Sequence, residues 1–207
     1  MDQPRDVAVL LFDEVEVLDF CGPYEVFSVA GRRQDLNPFH VYTVAEHTHP
    51  VLARGGLSVN PSHTLADAPA PDILVVPGGF GTRREMNNPA VTGWIAEHSQ
   101  GAEIVFSVCT GALLLARAGL LDGKAATTHH GAFDLLEEVA PSARVERGRR
   151  YVDNGRIILS AGISAGIDAA LYIVSRLHGL EQARETARYM EYDWRAERPD
   201  REVVAKT

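Results

Sequence analysis

The 207-residue sequence predicts an α/β fold built around a largely parallel sheet. Three observations carry that expectation. Val7 to Phe12 is a continuous apolar run, and Asp72 to Val76 and Glu103 to Val108 have apolar cores at Ile73 to Val76 and Ile104 to Phe106; all three suit strands covered on both faces. Segments of helical character follow them, so the two kinds of signal alternate from end to end. No linker, repeat or low-complexity stretch interrupts the alternation, and a single domain over residues 1–207 is the economical expectation.

Taken in order, Val7 to Phe12 is the first strand. Gly22-Pro23 opens a helix through about Ala30, with proline near the first turn, where a missing N–H is tolerated. Phe39 to Ala45 alternates like a strand, and Asp72 to Val76 is a buried strand stopping at Pro77-Gly78-Gly79. Pro89 to His98 reads as a helix, Glu103 to Val108 as a strand, and Thr110 to Ala118 as a helix with Gly119 as its C-terminal cap. Ala125 to Thr127 is a short strand, and Gly131 to Val139 a helix. Tyr151 to Leu159 reads as a hairpin around a tight Asn154-Gly155 turn. Ile167 to Leu177 is an apolar helix and Leu180 to Tyr192 an amphipathic one; the polar stretch from Arg195 is expected to fray.

Composition narrows the function. The formal net charge of −8 argues against nucleic acid as a main partner, since phosphate binding needs a basic surface. The local run of Arg144, Arg147, Arg149 and Arg150 alternates with acidic residues and reads as a solvated strand or turn. The longest apolar runs fall well short of the about 20 residues that span a bilayer. Met1 to Asp6 lacks the regions of a signal peptide, so no membrane association and a cytoplasmic location are expected. Two cysteines make neither a disulfide framework nor a structural zinc site, and the eight histidines show no helical ligand pair. No metal or cofactor is expected.

One of those two cysteines, Cys109, stands between a buried strand and a helix in Ser107-Val108-Cys109-Thr110-Gly111. A strand that turns sharply into a helix presents one side chain at the sheet's C-terminal edge, as in the G-x-S-x-G nucleophile elbow. The helix N-terminus would supply unpaired N–H groups and partial positive charge, both favouring the thiolate. On spacing alone, a small buried hydrophobe is the alternative. Cys21 has no such setting and is expected to be a packed, passive thiol. The Thr110 N–H would point into the same pocket as the sulfur, and the Gly78-Gly79 backbone could add a second donor for developing negative charge, or merely form a turn.

Five stretches together resemble the DJ-1/ThiJ/PfpI superfamily: Leu11 to Asp19 (LFDEVEVLD), Val76 to Gly81 (VPGGFG), Ser107 to Ala112 (SVCTGA), Ala126 to His129 (ATTH) and Ala161 to Asp168 (AGISAGID). The chain is most similar to the isocyanide hydratase branch, and the same domain type forms the N-terminal part of some AraC-type regulators. The resemblance implies a flavodoxin-like sandwich and a homodimer whose interface lies near the active site. It implies Cys109 as nucleophile, Asp19 as the acid facing the sulfur, and Thr110 and Gly79 at the oxyanion positions. Read alone, Asp19 would be a helix N-cap before Gly22-Pro23. The resemblance further places Gly78 and His129 beside the cysteine, His129 as a base or a packed polar residue, and Gly162 and Ile163 as pocket wall. Tyr24, Phe80 and His130 are guesses at the pocket lining from motif proximity. Protease-like relatives carry histidine directly after the cysteine; Thr110 stands there instead and counts against a Cys–His peptidase.

The chemistry expected from these residues is hydration of a small carbon electrophile, with isocyanide converted to an N-substituted formamide through a thioimidate on Cys109. A carboxyl beside a thiolate has a raised pKa, so Asp19 could hold and pass a proton near neutrality. A glyoxalase or deglycase of the same superfamily is the second possibility. A ligand- or redox-sensing module is the third, through oxidation of an accessible Cys109. No helix-turn-helix pair follows the domain, so a complete AraC-type regulator is not expected.

Overall fold

The computed structural model describes residues 3–196. Along the chain it contains β1 (Arg5–Leu10), α1 (Val17–Val29), β2 (Phe39–Ala45), β3 (Val51–Leu52), β4 (Ser58–Val59), β5 (His63–Thr64), β6 (Ile73–Val76), α2 (Thr82–Glu85), α3 (Pro89–Gly101), β7 (Ile104–Val108) and α4 (Gly111–Arg117). There follow β8 (Ala125–Ala126), α5 (Phe133–Val139), β9 (Arg144–Val145), β10 (Tyr151–Asn154), β11 (Ile157–Ser160), α6 (Ala165–His178) and α7 (Leu180–Tyr189). Seven strands form one sheet in the order β10-β11-β7-β6-β1-β2-β5. Every pairing in it is parallel except the β10–β11 hairpin. Helices α1, α6 and α7 pack as one group and α2 to α5 as another, giving the expected α/β sandwich.

The central strands are buried because they are apolar on both faces. Val7 to Leu10, Ile73 to Val76 and Ile104 to Phe106 are all at most 1% exposed. Register then places the loops. Val76 pairs with Ser107, and Val108 with Ser160, so β6, β7 and β11 end at one level. The segments that follow them, from Pro77, Cys109 and Ala161, therefore meet at the C-terminal edge of the sheet, where open α/β folds bind ligands.

Several elements differ in detail from the sequence reading. Helix α1 starts at Val17, not Gly22: Glu16 is its N-cap, and the Asp19 N–H donates to the Glu16 carbonyl at 3.1 Å. Pro23 thus lies inside the helix, and the Asp19 carbonyl loses its i+4 donor. Burial of Phe20, Val26 and Phe27 holds the helix through that break. The Asn154-Gly155 turn falls one residue later, because Asn154 pairs with Ile157 and the loop is Gly155-Arg156, with Gly155 at φ 80°. Ala125-Ala126 joins a separate two-stranded ribbon with Arg144-Val145, not the main sheet. The helix after Cys109 ends as expected: Gly119 takes φ 75°, and the Gly119 and Leu120 N–H groups donate to the Ala116 and Leu115 carbonyls in a Schellman cap.

The arginine run resolves into ion pairs. Arg147 meets Asp134 at 2.8 Å and Glu137 at 2.9 Å, and Arg150 reaches the buried Asp168 and the Ser164 hydroxyl. Among the described residues no helix is long and apolar enough to cross a membrane. Beyond residue 196, the polar tail expected to fray lies outside the described residues.

Candidate active site

Cys109 sits at a strand-to-helix elbow with φ 56°, a left-handed conformation costing about 1–3 kcal/mol in a non-glycine residue. The surroundings over-determine it. Its N–H donates to the Ser160 carbonyl at 3.2 Å and the Ala161 carbonyl at 3.1 Å, both at the end of β11. Its own carbonyl accepts the buried Thr128 hydroxyl at 2.8 Å. Gly111, the first residue of α4, lies so close to the Val76 carbonyl that no Cβ fits there. Helix α4 can therefore leave the sheet directly under the sulfur.

The Asp19 side chain faces this sulfur from the first turn of α1. The residue is fully buried. Oδ2 accepts the Gly78 N–H at 3.1 Å, while Oδ1 is buried without a hydrogen bond of good geometry. A carboxyl so placed is pushed up from its ordinary 3.8 to about 7, first by loss of solvent and then by the nearby Glu16 charge. The Cys109 thiol and the Gly78 and Ile163 N–H groups oppose that rise but do not cancel it. As an inner residue of α1, Asp19 is not the helix N-cap.

The sequence reading expected a lowered thiol pKa, and burial overturns it. Cys109 is 5% exposed. Loss of solvent and the Asp19 charge push the thiol up to about 12, against the Thr110 N–H and hydroxyl, which face the sulfur and lower it. The short α4 helix and one N–H do not outweigh desolvation. At neutral pH the sulfur keeps its proton, and the carboxyl opposite is the acceptor nearest to it.

The loop after β6 is equally tight. A Cβ on Gly78 would stand 2.5 Å from the Thr110 nitrogen, 2.7 Å from its hydroxyl and 2.8 Å from Asp19 Oδ2. Glycine is what lets this strand end pass between the two side chains. Gly79 takes φ 125° and forms an isolated bridge with Val15. Its N–H donates to the Thr110 hydroxyl at 3.0 Å, and that hydroxyl donates back to the Gly79 carbonyl at 3.1 Å. The expected pair of oxyanion donors is thus corrected. The Gly78 N–H is spent on Asp19 and the Gly79 N–H on Thr110, which leaves the Thr110 N–H facing the sulfur.

Ile163, 38% exposed, also has a left-handed backbone, φ 54°, which is a real outlier for a β-branched residue. That conformation aims its N–H at the Asp19 carboxyl. Gly162 makes room for the His129 ring, since a Cβ there would overlap its Cδ2. His129 Nδ1 accepts the Gly131 N–H at 3.1 Å, which puts any proton of the neutral ring on Nε2. Burial and the neighbouring His130 and Arg83 lower its pKa, so the neutral ring is favoured. His130 is exposed and packs tilted against His129, with ring centroids 4.1 Å apart. Phe80 stands 61% exposed beside the glycine loop. Tyr24 does not join the group: it follows Asp19 by five residues, about 140° round the helix, and packs half-buried against the core.

The sequence reading missed three contributors. Glu16 stands at the N-cap position of α1 and raises the Asp19 pKa, Thr128 clamps the elbow carbonyl, and the charge of Arg83 lowers the His129 pKa. Thr128 lies inside a stretch quoted for its resemblance, so a hydroxyl two residues after a short strand was the available signal. Glu16 lies inside the quoted Leu11–Asp19 stretch, whereas nothing in the sequence marks Arg83.

A profile of the DJ-1/PfpI family matches residues 5–176. The isonitrile hydratase of Pseudomonas putida is 36% identical over 186 residues, covering 90% of this chain and 78% of that protein. The HTH-type transcriptional regulator CdhR of Pseudomonas aeruginosa is 34% identical over 180 residues, and the chain spans about half of the regulator's length, 52%. Among solved structures, a THiJ/PfpI family protein from Pseudomonas syringae superposes with a TM-score of 0.84 at 29% identity, covering 99% of this chain and 80% of that one. Drosophila melanogaster DJ-1beta, at 22% identity and a TM-score of 0.80 over 93% of this chain, shares the fold.

Proposed function

This chain belongs to the DJ-1/PfpI family, and on that premise we propose that it is a cysteine-dependent hydratase that converts a small isocyanide to an N-substituted formamide. The observation that carries the reading is the buried Asp19 carboxyl facing the Cys109 thiol across a water-poor cradle. Hydration of an isocyanide begins with addition of sulfur and hydrogen to one and the same carbon. That demands a nucleophile and an acid aimed at one point, which is what two facing groups with one mobile proton supply.

The steps balance as follows. As the sulfur attacks the terminal carbon of R–N≡C, the thiol proton passes to the Asp19 carboxylate. Asp19 then delivers that proton to the same carbon, giving the thioimidate R–N=CH–S–Cys109. Water adds to the C=N carbon, the C–S bond breaks, and R–NH–CHO leaves with the thiol restored. The Thr110 N–H supports the sulfur as it leaves, and neutral His129 can guide the water. No cofactor or metal enters this sequence. The similarity to an isonitrile hydratase supports the same chemistry. The reading includes a homodimer, for which the exposed Leu18, Leu52 and Leu57 offer apolar surface.

The test is turnover of an aromatic isocyanide followed by formamide absorbance. Turnover abolished in both Cys109→Ala and Asp19→Ala is expected. Intact, reduced and folded protein that produces no formamide would overturn the assignment, and methylglyoxal would then be the substrate to try.

A further inference from the structure

Three arginines lie near Phe80 or in the short helix that follows it, and two are paired. Arg54 pairs with Glu14 at 3.1 Å. Arg84 pairs with Glu85 at 2.7 Å and donates to the Asp13 carbonyl. Arg83 differs: among the described residues no carboxylate lies within 4.0 Å of its guanidinium. That guanidinium lies over the Phe80 ring, 5.1 Å from the centroid, and Arg54 lies 5.8 Å from the same centroid. Phe80 itself is 61% exposed, with both cations near its ring.

The local geometry ties this pair to the nucleophile. Phe80 directly follows Gly79, which is bonded to Thr110. Arg83 lies close enough to His129 for its charge to lower that pKa; the His129 ring lies against Gly162, and the next residue aims its N–H at Asp19. A guanidinium with no carboxylate partner among the described residues and an exposed ring therefore flank the glycine loop that is bonded to Thr110.

We infer that Arg83 receives an anionic group on the substrate, and that the substrate is an isocyanide whose apolar body lies along Phe80 and ends in a carboxylate. A guanidinium offers parallel N–H donors that match a carboxylate's two oxygens, and ring and cation are already stacked so that both ends of such a molecule meet a partner at once. Glu16 carries the opposing charge on the α1 side of His129, so an anion is directed toward Arg83. The substrate class rests on the hydratase reading, whereas the anion site itself does not.

The test separates the two. Alkylation of Cys109 by iodoacetanilide and by its para-carboxylate forms the S–C bond, expels iodide and releases the thiol proton whether or not the protein hydrates anything. Rates are read at the Cys109 peptide by mass spectrometry and referred to a small neutral thiol. The carboxylate-to-neutral ratio is expected to exceed the reference about tenfold. It should fall close to the reference in Arg83→Gln, persist in Arg83→Lys, and shrink with added salt in the unaltered protein. A ratio no greater than the reference, or one unchanged by Arg83→Gln, would overturn the inference. Turnover of 4-isocyanobenzoate against phenyl isocyanide should show the same preference. If neither isocyanide is hydrated while the alkylation preference stands, the hydratase reading fails and the anion site survives.

Discussion

Replacing Asp19 with asparagine should make the protein more stable above neutral pH while destroying its chemistry. The ionised carboxyl is buried, with one oxygen bonded to the Gly78 N–H and the other lacking a good partner. Its pKa rises from 3.8 to about 7 on folding. Below pH 4 the group is protonated in both states and imposes no penalty. Between pH 4 and 7 the unfolded chain releases the proton while the folded chain keeps it, so folding stability falls as pH rises. The gap of roughly three pH units, at about 1.4 kcal/mol each, sets a loss of roughly 4 kcal/mol by pH 8. Asparagine can still accept the Gly78 N–H but carries no charge, so its stability lacks this slope. Urea unfolding of both proteins at pH 4.5 and pH 8 measures the difference, in which the histidine contributions largely cancel. The variant should gain stability relative to the parent by about 2–4 kcal/mol between those pH values. A difference that does not change with pH would refute the burial argument, and with it the claim that Asp19 is a poised acid.

Gly111→Ala should cost about 3 kcal/mol or more, measured by the same unfolding, because the new methyl overlaps the backbone carbonyl of Val76 and neither strand nor helix can yield. Cys109→Gly should be about 1 kcal/mol more stable than Cys109→Ala, since only glycine occupies φ 56° without strain; equal stabilities would mean the elbow is not strained. Stoichiometric peroxide should oxidise Cys109 no faster than a free cysteine, because burial holds the thiol protonated; rapid sulfenic acid formation, trapped and read by mass spectrometry, would favour an oxidation sensor instead.

The strands at the centre of the sheet were legible because burial on both faces requires largely apolar runs: β6 is wholly apolar, and β1 and β7 are apolar apart from Arg5-Asp6 and Ser107. The elbow was legible for the same reason: once β7 is fixed, Cys109 has to fall at its end. Proline misled the reading of α1, since Pro23 punctuates locally while Phe20, Val26 and Phe27 bury the helix across it. The β3–β4 ribbon and β5, two residues per strand, carry no periodicity to read. Charge states were the least accessible. A helix N-terminus can be seen in a sequence, but the desolvation that outweighs it at Cys109 depends on what covers the sulfur. Arg83 looks like any surface arginine until its neighbours are seen to be paired and no carboxylate among the described residues meets it.

Two residues at this site hold left-handed backbones, Cys109 and Ile163, and they come from different loops that the register of β7 and β11 brings to one level. Each turns a group inward, one a sulfur and the other an N–H, and the Asp19 carboxyl lies between them. Relaxing either backbone would move a donor or a nucleophile away from that carboxyl. The strain is therefore tied to placing both groups on one buried acid, and its persistence requires the clamps found around it: the Ser160 and Ala161 carbonyls on Cys109 N–H, Thr128 on its carbonyl, and the Arg150 link from Ser164 to the buried Asp168 behind Ile163. A pocket that merely bound a ligand would not need a carboxyl held at about 7 against a thiol held near 12. Burial makes both charges costly, so the pair gives up its first proton only near neutrality and holds the second well above it; the resulting one-proton state is the one from which a carbon can gain sulfur and hydrogen from the same side.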